Sequence, residues 1–211
     1  MERKLRNDSD YFQPDFYHFS QDSISLAQIV LQEMPPLPKK PWFMDICAGC
    51  GVVGIEIIKS LDQKINFDFL EIQNEFAPFF HKNLNFAGEK RDSCHFHNID
   101  FRKFPINRKY SVIVSNPPYF IPGYGRPGKD PMGNKCKFFL EGSYNELFQF
   151  LKKALLPKGK AFILFRETQK IDSKIFKELL MEFGDFFDFQ KRPLDKKNYL
   201  IVLSVLDING N

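Results

Sequence analysis

The chain has 211 residues, of which 43% are apolar and 27% charged, and this is the composition of an ordinary folded domain, not of a disordered or collagen-like chain. No run approaches the roughly 18 consecutive apolar residues of a membrane helix, and the polar start lacks the apolar core of a signal peptide. We therefore expect a cytoplasmic protein without membrane association, and we expect a monomer. The net charge of +4 permits a polyanionic partner without requiring one.

Predicted helices and strands alternate along the chain. Apolar residues at helical spacing predict a first helix over 22–34, ended by Pro35 and Pro36, and residues 37–41 read as a connector. From residue 42 onward, apolar runs predict strands at 42–46, 66–71, 95–99, 110–115, 160–165 and 199–206. This alternation predicts one doubly wound α/β domain.

Two later helices carry recognisable end signals. Ser143 and Glu146 form a capping-box pair ahead of an apolar helical pattern. Gly184 follows another such pattern, at a position suited to a left-handed cap. Most of the 25 phenylalanines fall at predicted core positions of these elements.

The turn after the first predicted strand carries Gly49, Gly51 and Gly54. In a doubly wound fold this turn lies at the carboxyl edge of the sheet, where nucleotides bind beside a helix N-terminus. Glu71 closes the second strand, 26 residues after Asp45, where an acid can accept hydrogen bonds from two ribose hydroxyls. The spacing therefore indicates a nucleotide site.

The glycine spacing alone also fits a dinucleotide fingerprint. Asp45, however, ends the strand beside the turn, where a carboxylate suits a cation better than a pyrophosphate. S-adenosylmethionine carries a sulfonium and an ammonium, so we favour it over NAD. Cys47 and Cys50 match a redox or zinc half-site, but no second ligand pair has the usual spacing, so we assign them to packing and predict no metal.

The most informative stretch is Asn116-Pro117-Pro118-Tyr119, which follows the fourth predicted strand and therefore borders the same crevice. Proline restricts the residue before it, so Asn116 is held extended. The Asn116 side-chain oxygen and the Pro117 carbonyl can accept the two hydrogens of an amino group and aim its nitrogen at a methyl donor. The Tyr119 ring can stack on a planar base. An isolated Asn-Pro-Pro also fits a plain turn, but its place beside the cofactor turn favours amino-group methylation.

Asp45-x-x-x-Gly49-x-Gly51, Glu71 and the Asn116–Tyr119 stretch together resemble the class I S-adenosylmethionine-dependent methyltransferases that act on amino nitrogens. Within that group the chain is most similar to the bacterial enzymes that methylate the exocyclic amine of the adenosine beside the anticodon of a valine tRNA. The resemblance implies a Rossmann-like, mostly parallel seven-stranded sheet, with 1–41 as a helical extension and 42–211 as the catalytic core. It also implies S-adenosylmethionine as cofactor and RNA, with tRNA favoured, as partner.

The resemblance further implies residue roles. Catalysis is expected at Asn116, Pro117 and Tyr119, and RNA contacts at Phe120, Gly123, Arg126 and Lys137. The cofactor would be bound by Asp45, Cys47, Ala48, Gly49, Gly51, Glu71, Ile72, Asp100, Phe101 and Asn116. The chain departs from the family where Cys47 replaces the first glycine of the turn. It also has Cys136-Lys-Phe-Phe139 where relatives often carry Ala-Arg-His-Glu, and Lys137 keeps the charge but not the planar fork of an arginine.

Several alternatives stay open. Release-factor glutamine methyltransferases share the Asn-Pro-Pro-Tyr stretch but carry a sizeable helical N-terminal domain, and DNA adenine methyltransferases usually add a recognition domain. A nucleotide-binding oxidoreductase or a non-catalytic domain fits the same fold. Basic clusters at 126–137 and 191–197 are expected to flank the crevice and contact phosphates, although solvated surfaces give the same pattern. The segment around Phe19 and Asp22 is expected either to fold over the cofactor or only to start a helix.

Overall fold

The computed structural model describes residues 11–120, 128–140, 142–167, 170–194 and 198–206. Seven strands form its one sheet, and in chain order they are β1 Trp42–Ile46, β2 Asn66–Glu71, β3 Cys94–Asn98, β4 Tyr110–Ser115, β5 Leu155–Arg166, β6 Phe187–Pro193 and β7 Asn198–Val205. Their order across the sheet is β3-β2-β1-β4-β5-β7-β6, and only β7 runs antiparallel to its neighbours. The prediction of a doubly wound, mostly parallel seven-stranded sheet is confirmed.

The described residues form six α-helices: α1 Gln21–Glu33, α2 Val52–Ser60, α3 Ala77–Leu84, α4 Pro131–Lys137, α5 Tyr144–Ala154 and α6 Lys170–Phe183. One apolar cluster joins α1 and α2 to one face, and a second joins α5 and α6 to the other. Strands covered on both faces explain the continuous apolar runs in the sequence. None of the helices in the described ranges has the length and apolarity needed to cross a lipid bilayer.

The predicted strand boundaries agree closely with the structure, with one omission. β1, β2 and β4 have the predicted ends, β3 and β7 are displaced by one residue, and β5 is longer than predicted. The omitted strand is β6, which lies at the edge of the sheet and alternates buried with exposed residues. Because Lys191 and Arg192 stand side by side in it, its sequence reads as a basic surface segment and not as a strand, although both side chains are half-buried in the structure.

The helix-end predictions had mixed outcomes. The Ser143 hydroxyl accepts a hydrogen bond from the Glu146 backbone N–H at 3.2 Å, so the predicted cap of α5 is confirmed. Gly184 after α6 does not have a positive φ, and the prediction of a left-handed cap there is wrong. A Cβ at Gly184 would lie 2.6 Å from the Leu180 carbonyl oxygen, so glycine is needed there for space.

The carboxyl ends of β1, β2, β4 and β5 lie at the same edge of the sheet. In the parallel register Ile46 of β1 lies beside Leu70 of β2 and Ser115 of β4, and Ser115 lies beside Ile163 of β5. The segments that leave these strands therefore meet above the same carboxyl edge, which is where a doubly wound fold binds its ligands.

Candidate active site

The turn between β1 and α2 is built on left-handed backbone. Cys47, Gly49 and Gly51 have φ values of 62°, 53° and 83°. Glycine adopts this conformation freely, whereas a side chain there costs about 1–2 kcal/mol. Cys47, at the place of the family's first glycine, therefore carries backbone strain. The turn is closed by the Gly51 N–H, which donates to the Ala48 carbonyl at 2.8 Å.

Two buried carboxyl groups flank this turn. The Gly54 N–H donates to Asp45 Oδ2 at 3.3 Å, and the N–H groups of Gly49 and Gln73 each donate to Glu71 at 2.8 Å. Burial raises the pKa of Asp45 to about 8 and also raises the pKa of Glu71. In the described part of the chain neither carboxyl has an ion-pair partner. A cationic ligand in this place would supply the missing positive charge, which fits a sulfonium and an ammonium.

Asn116 is oriented by side chains of α1 and of its own loop. Its Nδ2 donates to the Ser23 hydroxyl at 3.1 Å, and its Oδ1 accepts from the Tyr119 hydroxyl. The same hydroxyl lies 3.3 Å from Asp22 Oδ2. Burial, followed by the charge of Asp22, raises the pKa of Tyr119, so its hydroxyl stays a donor at neutral pH.

The first cleft brings one predicted target residue, Asn116, together with predicted cofactor residues, whereas Pro117 and Tyr119 do not line it. Asp45, Glu71 and Asn116 all line it, with Cys47, Ala48 and Gly49 of the turn. Asn116 therefore stands in the same cleft as the two carboxyl groups, as the sequence predicts.

Residues 12–19, which precede α1, lie against this cleft. Tyr17 and Phe19 line it, and the rings of Phe16 and Tyr17 pack edge-on against Phe76, with centroids 5.3 and 5.8 Å away. The Phe12 N–H and carbonyl are both bonded to the side chain of Asn83. Asp22 lies in the first turn of α1 and Phe19 lines the cleft, so the segment both starts a helix and borders the cleft, and its closure over a cofactor stays a prediction.

A second cleft adjoins the first and shares Cys47, Ile72 and Lys135 with it. It holds the predicted residues Asp100 and Phe101. Burial opposes ionisation of Asp100, but its hydrogen bonds with Arg102 outweigh that and lower the pKa. Ile72 is 45% exposed at the opening and offers apolar surface to a planar ring.

The predicted RNA contacts are placed only in part. The Phe120 N–H donates to the Lys137 carbonyl and the Phe120 carbonyl accepts from the Phe139 N–H, both at 2.8 Å. Phe120 thus closes the base of the loop that follows Tyr119. The Lys137 side chain is exposed and lines neither cleft, whereas Lys135 lines both. Gly123 and Arg126 lie outside the described residues.

Two cations of the second basic cluster form ion pairs within the chain. Arg192 pairs with Glu33, with Nη1 2.6 Å from Oε1, and Lys191 pairs with Glu167. These two cations are therefore engaged in ion pairs within the chain, and the expectation that this cluster contacts phosphates stays a prediction. Its other lysines lie outside the described residues.

The sequence did not predict which residues far away along the chain hydrogen-bond to Asn116 and Tyr119. The segment around Asp22 was expected to fold over the cofactor or to start a helix, but no contact of Ser23 or Asp22 with the target loop was predicted. Ser23 and Asp22 lie 93 and 97 residues before their partners Asn116 and Tyr119. Arg166, at the end of β5, was also missed. Its one signal was its place at the end of a strand neighbouring β4.

The strand order and this edge define the fold of the class I S-adenosylmethionine-dependent methyltransferases. A Listeria monocytogenes protein described by that class name superposes with a TM-score of 0.66 at 13% identity, over 96% of this chain and 65% of its own. An rRNA methylase of Streptococcus thermophilus gives a TM-score of 0.63 at 13% identity, over 87% of this chain and 97% of its own. The profile of the methyltransferase small domain matches residues 15–125, just over half of the chain, and the chain belongs to that family.

Curated relatives of known name are similar in sequence. The tRNA1(Val) (adenine(37)-N6)-methyltransferase of Tolumonas auensis is 26% identical over 148 residues, covering 68% of this chain and 61% of the relative. The enzyme of the same name from Musicola paradisiaca is 23% identical over 150 residues, covering 70% of this chain and 59% of the relative. The chain thus spans about three fifths of the length of these relatives.

Proposed function

We propose that the protein transfers a methyl group from S-adenosylmethionine to the exocyclic amino nitrogen of adenine in RNA, with tRNA as the RNA. The observation that carries the proposal is the place of Asn116 in one cleft with Asp45 and Glu71. An amide oxygen stands there beside two carboxyl groups that can accommodate a positively charged nucleoside.

The residues present fit this cofactor. Asp45 and Glu71 supply carboxyl groups that can ionise beside a cation, Gly49 lines the cleft without a side chain, and Ile72 offers an apolar surface. When bound, S-adenosylmethionine supplies a methyl group already activated by its sulfonium.

The work left to the chain is to orient the acceptor. The lone pair of an aromatic amine is delocalised, so the amine gains nucleophilicity when its two hydrogens are held by acceptors and charge on nitrogen is stabilised. Asn116 Oδ1 and the Pro117 carbonyl are the two acceptors we assign, and Tyr119 is the stacking surface for the base. No strong base is required, because the proton can leave to water after the nitrogen–carbon bond forms.

Three considerations favour RNA as the substrate. The similar curated proteins are named for an adenine of tRNA. Aromatic rings follow the acceptor directly, at Tyr119 and Phe120, and sequence-specific RNA recognition commonly stacks unpaired bases on such rings. Lys135 adds a positive charge at the mouth of both clefts.

The test is a methyl-transfer assay with labelled S-adenosylmethionine and unmodified bulk tRNA, followed by mass spectrometry of the digested nucleosides. We expect N6-methyladenosine to form. A peptide with a release-factor glutamine serves as the competing substrate, and methylation of the peptide alone would establish the glutamine alternative. Calorimetry with S-adenosylhomocysteine and with NAD completes the test, and binding of NAD alone would establish the oxidoreductase alternative.

A further inference from the structure

Arg166 lies against the aromatic pair of the target loop. It is the last residue of β5, which runs parallel to β4, so its side chain leaves the sheet at the edge where Asn116 follows β4. Its Cζ is 5.6 Å from the ring centroid of Tyr119 and 5.9 Å from that of Phe120. These distances are within the range of cation–π contacts.

The charge of Arg166 is not compensated within the described residues. Its Nε is buried and has no hydrogen-bond partner there, although a buried donor without an acceptor is costly. The neighbouring carboxylate of Glu167 is engaged by Lys191 and Ser173. Arg166 therefore places a guanidinium beside the Tyr119–Phe120 pair, which is the proposed platform for the target base. Its Nε has no acceptor among the described residues.

The chemistry of the missing acceptor follows from the geometry of the group. A planar guanidinium binds phosphate or carboxylate through two parallel N–H donors while its face stays stacked on a ring. A nucleotide presents both features together, because its base stacks on the platform and its phosphodiester lies one sugar away. A glutamine side chain in a peptide carries no such anion beside the target nitrogen.

We propose that Arg166 binds a phosphodiester oxygen next to the target nucleotide, and that it holds the Tyr119–Phe120 platform against the flipped base. This inference rests on the proposed function and deepens it, since it assigns the substrate contact to the RNA backbone. Arg166 is thus a substrate-binding residue outside the Asn116–Tyr119 motif.

The chain offers a matched control. The Cζ of Arg108 lies 3.8 Å from the ring centroid of Trp42, so Arg108 too is an arginine stacked on an aromatic ring. It precedes β4, at the opposite edge of the sheet from the clefts. Arg108→Gln therefore removes the same charge without touching the proposed RNA site.

The experiment measures binding of a fluorescein-labelled anticodon stem-loop that contains adenine 37, in the presence of S-adenosylhomocysteine and over a series of salt concentrations. We expect Arg166→Gln to weaken RNA binding about tenfold or more, and to reduce the slope of log affinity against log salt by about 0.7, the value for one phosphate contact on a single strand. Arg166→Lys should keep the wild-type slope and still bind more weakly, because the charge remains and the fork is lost. Arg108→Gln should bind like the wild type.

Calorimetry with S-adenosylhomocysteine and thermal unfolding separate this role from a structural one, since every variant should keep its cofactor affinity within about twofold. Wild-type RNA affinity and slope in Arg166→Gln would overturn the inference, as would an equal loss in Arg108→Gln. If Arg166→Gln does not fold, Arg166→Lys decides, and RNA affinity equal to that of the wild type overturns the inference. A wild-type protein that methylates no RNA refutes the proposed function and this inference together, whereas RNA methylation unaffected by Arg166→Gln refutes the inference alone.

Discussion

The clefts have two parts: the proposed cofactor half around Asp45 and Glu71, and the proposed target half around Asn116. Different kinds of hydrogen bond hold the residues of the two halves. Around Glu71 the donors are the backbone N–H groups of Gly49 and Gln73, which the strand and turn hold in place. Around Asn116 the partners are the side chains of Ser23 and Tyr119. Side chains can rotate where backbone groups cannot, so the cofactor half is preformed and the target half can rearrange.

The group expected to rearrange is the hydroxyl of Tyr119. Asn116 Oδ1, the expected acceptor for the substrate amine, already accepts from the Tyr119 hydroxyl. Since an amide oxygen can accept two hydrogen bonds, an incoming amine can share Asn116 Oδ1 with that hydroxyl, or the hydroxyl can turn to Asp22 Oδ2, 3.3 Å away. The contrast between the two halves leads to four predictions, given from the largest expected effect to the smallest.

Asn116→Ala should impair methyl transfer without weakening cofactor binding. We expect methyl transfer to fall about 10²–10³-fold, the usual loss on removing one group that stabilises developing charge, while cofactor affinity stays within about twofold. Single-turnover rates and calorimetry with S-adenosylhomocysteine measure the two quantities. Asn145→Ala, at an exposed position on α5, is the control, and transfer by Asn116→Ala as fast as by this control would contradict the assignment.

Asp45→Asn should break the cofactor half. We expect affinity for S-adenosylmethionine to fall about 10–100-fold, because a charge-assisted contact is lost. The pKa of Asp45 is about 8 without ligand, and a bound cation favours the ionised form. Cofactor binding by the wild type should therefore release a proton, and affinity should rise between about pH 6 and pH 8 and then level off.

Calorimetry in two buffers of different ionisation enthalpy measures that proton release. The same raised pKa means that the folded state holds the proton more tightly than the unfolded state. Asp45 therefore contributes less to stability as the pH rises from about 4 to about 8, and Asp45→Asn should remove this decline. Cofactor affinity that is independent of pH in the wild type would exclude the buried, protonated Asp45.

Tyr119→Phe and Tyr119→Ala should distinguish the contribution of the aromatic ring from that of the hydroxyl. Phenylalanine keeps the stacking surface and removes only the hydroxyl, while Ser23 still holds Asn116, so the transfer rate with saturating RNA should change by no more than about threefold. Alanine removes the surface, and the KM for RNA should rise about tenfold, in line with about 1–3 kcal/mol per stacked base. Equal damage in both variants would show that the hydroxyl, and not the ring, carries the role.

Cys47→Gly should sharpen the description of the cofactor turn. Removing the side chain from a residue with a φ of 62° should stabilise the protein by about 1 kcal/mol in urea unfolding and leave methyl transfer unchanged. Gly51→Ala is the opposing control, since a Cβ there would lie 2.6 Å from the Phe80 ring and must destabilise the fold. A loss of stability in Cys47→Gly would mean that thiol packing outweighs the strain.

The sequence predicted the features that depend on local pattern. The apolar runs of β1, β2 and β4 predicted those strands to the residue, and the Asn116–Tyr119 stretch predicted which loop borders the cofactor turn. Contacts between distant segments were not predicted. Arg192 appeared as a free cation because its partner Glu33 is 159 residues away, and Arg166 carries no motif of its own. Only the folded sheet shows which cation is neutralised and which is not.

The pairing of Phe120 with Phe138 has a use in protein engineering. The two residues form an isolated parallel bridge that ties both ends of the intervening segment together beside Asn116. The described part of the stretch between them also contacts the rest of the chain, since Gln73 Nε2 donates to Cys136 Sγ at 3.3 Å, so an exchanged stretch has to keep this contact as well as the bridge. Chimaeras with their junctions at this bridge would test whether the stretch affects the choice of substrate.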